Sequence, residues 1–274
     1  MAFHVKDGGS WQQPKSIYVK NGDVWTSVKK LWINDAGTWK QVAPAAGTQT
    51  FTAAGVTHTV TVPRMVGTVY LTAIAGGGGA GNMVDGGYND DSGASGGGGS
   101  GQRIINYAVP VVPLETLSIT IGAGGGNAGT SRGTANRGGT GGNTTLYVPS
   151  SGATYILYGG AGGYGGEGFQ GARYPGGTTS LSNSTITGVT ASNGAHGNAG
   201  STGGAGFTNA SGTVGSGQPG GSYGNGGGTY HYELDATEYG GGGAGAYFGY
   251  IREDNGNHPG WCGKGQSGLA TISW

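Results

Sequence analysis

Apolar and polar residues alternate in short stretches along this chain, and no stretch repeats its apolar positions every three to four residues. That pattern predicts strands and excludes amphipathic helices. The first 43 residues carry an internal repeat, with Trp11, Trp25 and Trp39 spaced by 14. Val5, Val19 and Ile33 recur at the same period, as do Phe3, Ile17 and Leu31, and His4, Tyr18 and Trp32. Asp7, Asn21 and Asp35 fill one turn position, and Gly8, Gly22 and Ala36 the next. Each unit reads strand, turn, strand; Asn21-Gly22 is a hairpin signal. Three such hairpins are expected to form a small meander with Trp and Val on one face. About 45 residues is too short for a secure core. The module 1–46 is therefore expected to lean on a partner, on copies of itself or on the rest of the chain, with Trp11, Tyr18, Trp25, Trp32 and Trp39 as its attachment residues.

Residues 43–47 read as a linker, and a second domain, 47–274, follows. Its first strands are predicted at 50–52, 57–63 and 68–74, rich in Thr and Val. Further strands are predicted at 102–109, 117–121, 144–148, 154–158 and 269–274. Between them lie glycine runs at 76–81, 96–101, 122–126, 138–142, 159–166, 220–228 and 240–245. Strands 69–74, 117–121 and 269–274 are expected to pair into one sheet that closes the domain.

Composition changes this picture. Glycine supplies 68 of 274 residues, and glycine loses more backbone freedom on folding than any other residue. Hydrophobic residues are only 34%, so an ordinary core cannot extend through the whole chain. A collagen reading fails, because there is no strict Gly-X-Y period and only 9 prolines. A flexible linker reading fails because good strands interleave the glycine runs. The remaining arrangement is packed glycine helices of the left-handed, three-residue-per-turn kind, whose outward N–H and C=O groups bond to neighbouring helices. The predicted fold is all-β and irregular: a β-hairpin repeat module, then a β-framed domain of packed polyglycine II helices, with almost no α-helix.

Charge removes several functions. Thirteen basic and 13 acidic residues balance to zero, so nucleic acid is not expected as a partner. The single Cys262 excludes an internal disulfide framework. No zinc spacing, EF-hand loop or phosphate-binding loop is present, so neither a metal nor any other cofactor is expected. Arg132-Gly133 and Arg137-Gly138-Gly139 are too few for an RNA-binding segment. No catalytic pair stands out, and an enzyme is not expected. The opening residues lack the apolar core of a secretory signal, and no apolar run is long enough for a membrane helix.

If the glycine runs are scaffold, recognition belongs to the segments between them. Four are rich in aromatic and charged residues. The first, 83–92, contains Tyr88 and Asp90; the second, 167–174, contains Phe169, Arg173 and Tyr174. The third, 229–239, contains Tyr230, His231 and Tyr232; the fourth, 246–261, contains Tyr247, Phe248, Tyr250, Arg252 and Trp261. Tyr, Trp and Arg dominate binding hot spots, and Tyr gives contact area at low entropic cost. The competing role for these aromatics is to plug gaps between glycine helices.

Three stretches carry a family resemblance: residues 51–74 running into Gly76–Gly79, the strand-to-glycine step Leu117-Ser118-Ile119-Thr120-Ile121-Gly122-Ala123-Gly124-Gly125-Gly126, and the closing strand that ends Ile272-Ser273-Trp274. In these the chain resembles the glycine-rich domains of bacteriophage tail fibre adhesins. The tryptophan repeats are similar to short modules of phage tail proteins, and depart from the adhesin pattern. The resemblance implies a sandwich of glycine helices whose connecting loops form a receptor-binding tip on the virion. It implies a host outer-surface receptor, protein or polysaccharide, and other tail or fibre subunits as partners, homotrimeric assembly being one arrangement. A purely structural tail-tip subunit is the alternative. An ice-binding protein is disfavoured by the bulky loops.

Overall fold

The computed structural model describes residues 5–7, 9–12, 17–28, 31–41, 46–84, 93–128, 136–167, 176–177, 186–188, 190, 207, 235–243, 247–248 and 262–274. Among them there is no α-helix, and no helix long and apolar enough to cross a membrane. The strands are β1 (Val5–Asp7), β2 (Ser10–Gln12), β3 (Tyr18–Asn21), β4 (Val24–Ser27), β5 (Trp32–Asp35), β6 (Thr38–Gln41), β7 (Thr48–Phe51), β8 (Thr57–Thr61) and β9 (Thr68–Ile74). Then come β10 (Met83–Val84), β11 (Gly93–Ala94), β12 (Arg103–Pro110), β13 (Thr116–Thr120), β14 (Thr144–Val148), β15 (Ala153–Leu157), β16 (Gly166–Glu167), β17 (Tyr247–Phe248) and β18 (Leu269–Ser273).

The repeat of 14 becomes three antiparallel hairpins, β1-β2, β3-β4 and β5-β6. They do not merge into the expected meander; each is its own two-stranded sheet. Nor is any apolar side chain of the module buried among the described residues. Trp25 and Trp39 are each 65% exposed, Tyr18 55% and Trp32 49%. Strands of three or four residues offer too little surface to hold one another. The third turn places Ala36 at φ 48°, in the left-handed region that Gly22 occupies in the second.

Two four-stranded antiparallel sheets form the base of the second domain, in the orders β12-β9-β18-β7 and β15-β14-β13-β8. They share one core. Val69, Leu71, Ala73 and Ile272 enter it from the first sheet, and Val60, Leu117, Ile119, Leu146 and Val148 from the second. Period-two alternation places these residues inward. The expected single sheet is thus half correct. Segments 69–74 and 269–274 pair, but 117–121 belongs to the opposite sheet. Its alternating Leu117, Ile119 and Ile121 face the first sheet across the core rather than extending it.

One extra residue in β12 shifts its register between Ile104 and Tyr107. Asn106 takes φ 52° there and donates its N–H to Thr72 Oγ1 at 3.0 Å. The bulge reverses the side-chain alternation, so that Ile104 and Val109, of opposite parity, both enter the core.

At one end of the two sheets the strands continue into glycine segments rather than ending in turns. β9 runs into 75–82 and β15 into 158–165; 95–102 leads into β12, 136–143 into β14, and 262–268 into β18. Segment 75–82 is the axis, and its hydrogen bonds repeat every three residues. The N–H groups of Ala75, Gly78 and Gly81 donate to Gln102, Gly99 and Gly96. Those of Gly76, Gly79 and Asn82 donate to Gly142, Gly139 and Asn136, and those of Gly77 and Ala80 to Gln266 and Gly263. Its carbonyls accept from three more segments: Gly76 and Gly79 from Gly160 and Gly163, Gly77 and Ala80 from Gly125 and Ala128, and Gly78 from Gly243.

Three residues per turn is the period of the polyproline II helix. Successive N–H groups then point 120° apart, each to a different neighbour. The axial segment therefore has six neighbours: 95–102, 158–165, 136–143, 122–128, 262–268 and 240–243. Each also bonds to the next around the ring, through Gly99 to Ala161, Gly138 to Gly163, Gly139 to Gly126, Gly265 to Gly125, Gln266 to Gly241 and Gly98 to Gly243. Residue order gives alternating directions around this ring. Only glycine permits such spacing. At Gly76, Gly77, Gly78 and Gly79 an added Cβ would lie closer than 3.0 Å to a neighbour's backbone. Residues 73–82 are all buried, yet backbone bonding replaces side-chain packing there.

Candidate recognition surface

The glycine bundle has two unlike ends. At one, the segments emerge from the sheets. The other is fixed by the registers: Asn82 meets Asn136, Gly81 meets Gly96 and Ala80 meets Gly263. The chain leaves this far end at 84, 128, 167 and 248, and returns at 93, 136, 176 and 262. The connections from 84 to 93, from 128 to 136 and from 248 to 262 join antiparallel neighbours, while Gly177, beyond the remaining one, donates to the Gly97 carbonyl.

Two short ladders tie the stems together. β10 pairs in parallel with β16, Met83 to Gly166 and Val84 to Glu167. β11 pairs antiparallel with β17, Gly93 to Phe248 and Ala94 to Tyr247. The first predicted loop thus shares one stem with the second and another with the fourth. The third loop rejoins the described chain at Asp235. There the Lys264 N–H donates to Asp235 Oδ1 at 2.7 Å, and the chain descends beside 264–267 to Tyr239. Tyr239 exchanges backbone bonds with Phe207, and both pack with Ile74 and Leu269.

Beneath the stems the bundle is plugged by small polar groups. Asn82 is fully buried, and its Oδ1 accepts the Asn136 N–H at 2.6 Å. Asn127 Nδ2 donates to the Cys262 carbonyl at 2.9 Å, while the Cys262 side chain packs with Ala80 and Ala128. On the flank, Arg137 Nε donates to the Gly162 carbonyl at 2.9 Å, and its guanidinium lies 4.3 Å from the centre of the Tyr164 ring. These bonds give the loops rigid bases.

Among the described residues no group of acidic, His or Cys side chains could hold a metal ion. Among the described residues, the two groups with displaced proton affinities lie at the sheets. Burial lowers the Arg103 guanidinium, opposed by Glu238, and burial with the neighbouring Tyr107 raises the Tyr155 hydroxyl. Neither lies at the far end.

Tyr247 and Phe248 are set by backbone pairing in the β11-β17 stem. Tyr88, Asp90, Phe169, Arg173, Tyr174, Tyr230, His231, Tyr232, Tyr250, Arg252 and Trp261 lie outside the described residues. In the repeat module, Trp11 sits on β2, and Tyr18, Trp25, Trp32 and Trp39 are solvent-facing. Two features escaped sequence reasoning. The connection 129–135 leaves the same end as the predicted loops, although it has no aromatic residue to mark it. The Arg137–Tyr164 pair joins residues 27 apart on adjacent segments, and no local pattern reports that.

A family model described as a glycine-rich domain matches residues 52–274. The chain belongs to the glycine-rich domain family. The match begins inside the sheet-forming region and takes in every segment of the bundle, so the glycine-rich domain includes its closing strand. No curated protein matches the sequence.

Proposed function

We propose that this protein is the receptor-binding adhesin of a bacteriophage tail, a non-enzymatic subunit at the distal tip of the virion. The observation that carries the reading is the polarity of the glycine-rich domain. The chain leaves one end of a rigid bundle at 84, 167 and 248, into three of the aromatic-rich segments. The tryptophan repeats join at the other: Gly47 bonds to Trp274 in both directions, beyond the last rung of β18. Such a layout separates anchoring from recognition. Backbone bonds hold the bundle, so loop sequences can change without altering what supports them. The aromatic, Asn- and Gly-rich loops suit a protein or polysaccharide on the bacterial surface.

The test is adsorption of the purified protein to whole cells of a bacterial panel. Strain-selective binding is expected, with Tyr232→Ala and Trp261→Ala each weakening it about tenfold while the unfolding transition stays unchanged. A folded protein that binds no strain would instead indicate a structural tail-tip subunit.

A further inference from the structure

The flank of the glycine bundle between segments 136–143 and 158–165 is built as a strip. The two segments run antiparallel in one register, fixed by the bonds from Gly138 to Gly163 and from Gly141 to Gly160. That register sets Arg137 beside Tyr164, Thr140 beside Ala161 and Asn143 beside Tyr158. Three residues per turn bring these positions to the same side of each segment. Burial agrees: Gly138, Gly141, Gly160 and Gly163 are buried, whereas Arg137, Thr140, Asn143 and Tyr164 are exposed and Tyr158 and Ala161 half-buried. Tyr158 and Tyr164 stand six residues apart, about 19 Å at about 3.1 Å per residue. Between them the small Thr140 and Ala161 leave the strip low in the middle. Two of its side chains are held in place. The Arg137 guanidinium rests 4.3 Å from the centre of the Tyr164 ring, and its Nε donates to the Gly162 carbonyl. Asn143 Oδ1 accepts the Gly159 N–H at 3.1 Å.

We propose that this strip binds an acidic polysaccharide of the bacterial surface, one that carries carboxylate groups. The inference rests on the receptor reading and names the chemistry recognised. The polar groups that the strip leaves over are the Arg137 Nη fork, the Asn143 amide Nδ2, the Thr140 hydroxyl and the two tyrosine hydroxyls. Each of them donates hydrogen bonds, and no position on the strip is acidic. Such a surface suits a ligand rich in acceptors. The guanidinium fork matches a carboxylate in two parallel bonds. Its Nε bond and its ring contact fix the fork before a ligand arrives, which lowers the entropy lost on binding. One cation balances one negative charge, so a uronate suits it better than a phosphate, which carries nearly two. The wider charge acts in the same sense. Residues 128–177 hold Arg132, Arg137 and Arg173 against Glu167 alone, within a chain of zero net charge. The tyrosines offer the sugar rings contact area at low entropic cost. The strip starts at the far end of the bundle, where the chain enters segment 136–143 and leaves 158–165.

Calorimetric titration of the full chain with tetragalacturonate tests it, with maltotetraose as the neutral comparator and inorganic phosphate as the other anion. Tetragalacturonate should bind, more weakly as salt is raised, and the other two should bind about tenfold less tightly or worse. Arg137→Gln should weaken tetragalacturonate binding about tenfold or more. Tyr164→Phe, which keeps a ring against the guanidinium and removes the hydroxyl, should weaken it a few-fold. Thr140→Trp fills the low centre of the strip from an exposed position and should abolish binding; it serves if the Arg137 variant unfolds. A protein that does not bind tetragalacturonate overturns the proposal. So does equal binding of maltotetraose or of phosphate, and so does binding that survives both Arg137→Gln and Thr140→Trp. Strain-selective adsorption to cells by a protein that ignores tetragalacturonate would leave the receptor reading standing while this one falls. Tetragalacturonate binding at the strip without adsorption to any strain would uphold the glycan site and remove the receptor reading.

Discussion

A methyl group at position 78 would meet the backbone of Ala161, and no rotamer change relieves that contact. At Gly126, on the outer side of the bundle, an added Cβ meets nothing within 4 Å. The two sites predict opposite outcomes for one substitution. Gly78→Ala should destabilise the domain by about 3 kcal/mol or more, since overpacking against backbone moves whole segments. Gly126→Ala should be neutral or stabilising by up to about 1 kcal/mol, because it restricts only the unfolded chain. Chemical denaturation of the two variants decides it; equal losses would refute the packing described. Asn106 offers a second contrast. Asn tolerates the left-handed conformation and β-branched residues do not. Asn106→Val should cost about 1–3 kcal/mol, whereas Asn106→Gly should cost less, and thermal unfolding ranks them. Which glycines are indispensable was not legible in the sequence. Gly78 and Gly126 look alike there, and only their neighbours distinguish them.

Elements join at strand-to-glycine junctions, and Thr144 secures one. Its Oγ1 accepts the Gly122 N–H at 3.0 Å and donates to the Ile74 carbonyl at 2.9 Å, linking the axial segment to two others where both sheets end. Thr144→Val keeps the shape and removes both bonds. It should cost about 1–3 kcal/mol, read as a lower midpoint in urea; no change would mean that the junction is held by packing alone. Strand positions were well marked: β9 and β14 fall where alternation placed them. Pairing was less legible. Leu117, Ile119 and Ile121 announce a buried strand, but the same alternation fits either face of a two-sheet core. The hairpins show a similar gap. Asn21-Gly22 marked the turn, while the failure of the three repeats to merge into one sheet left no local signal.

Across the whole molecule, the last residues close the structure. β18 lies between β7 and β9, and segment 262–268 before it completes the ring around 75–82. The Trp274 ring lies against Gly47, where a Cβ would collide with it. Removal of residues 269–274 should therefore abolish cooperative unfolding of the entire domain rather than fray one edge; a retained transition in calorimetry would contradict this topology. The long-range pairing of chain ends could be guessed from the closing strand's composition. The ring of six could not, because its order depends on registers between segments of nearly identical sequence. Glycine runs bracket the predicted loops in the sequence, whereas the exit of the chain at 84, 167 and 248 from one end of the bundle became visible only with the directions of the segments.

The most direct measurement is loop exchange between two such proteins that adsorb to different bacterial strains, with residues 85–92 and 249–261 replaced together. The account predicts that strain choice follows the exchanged loops while the unfolding transition of the glycine-rich domain stays put. Strain choice that remains with the original scaffold would contradict recognition at the far end of the bundle.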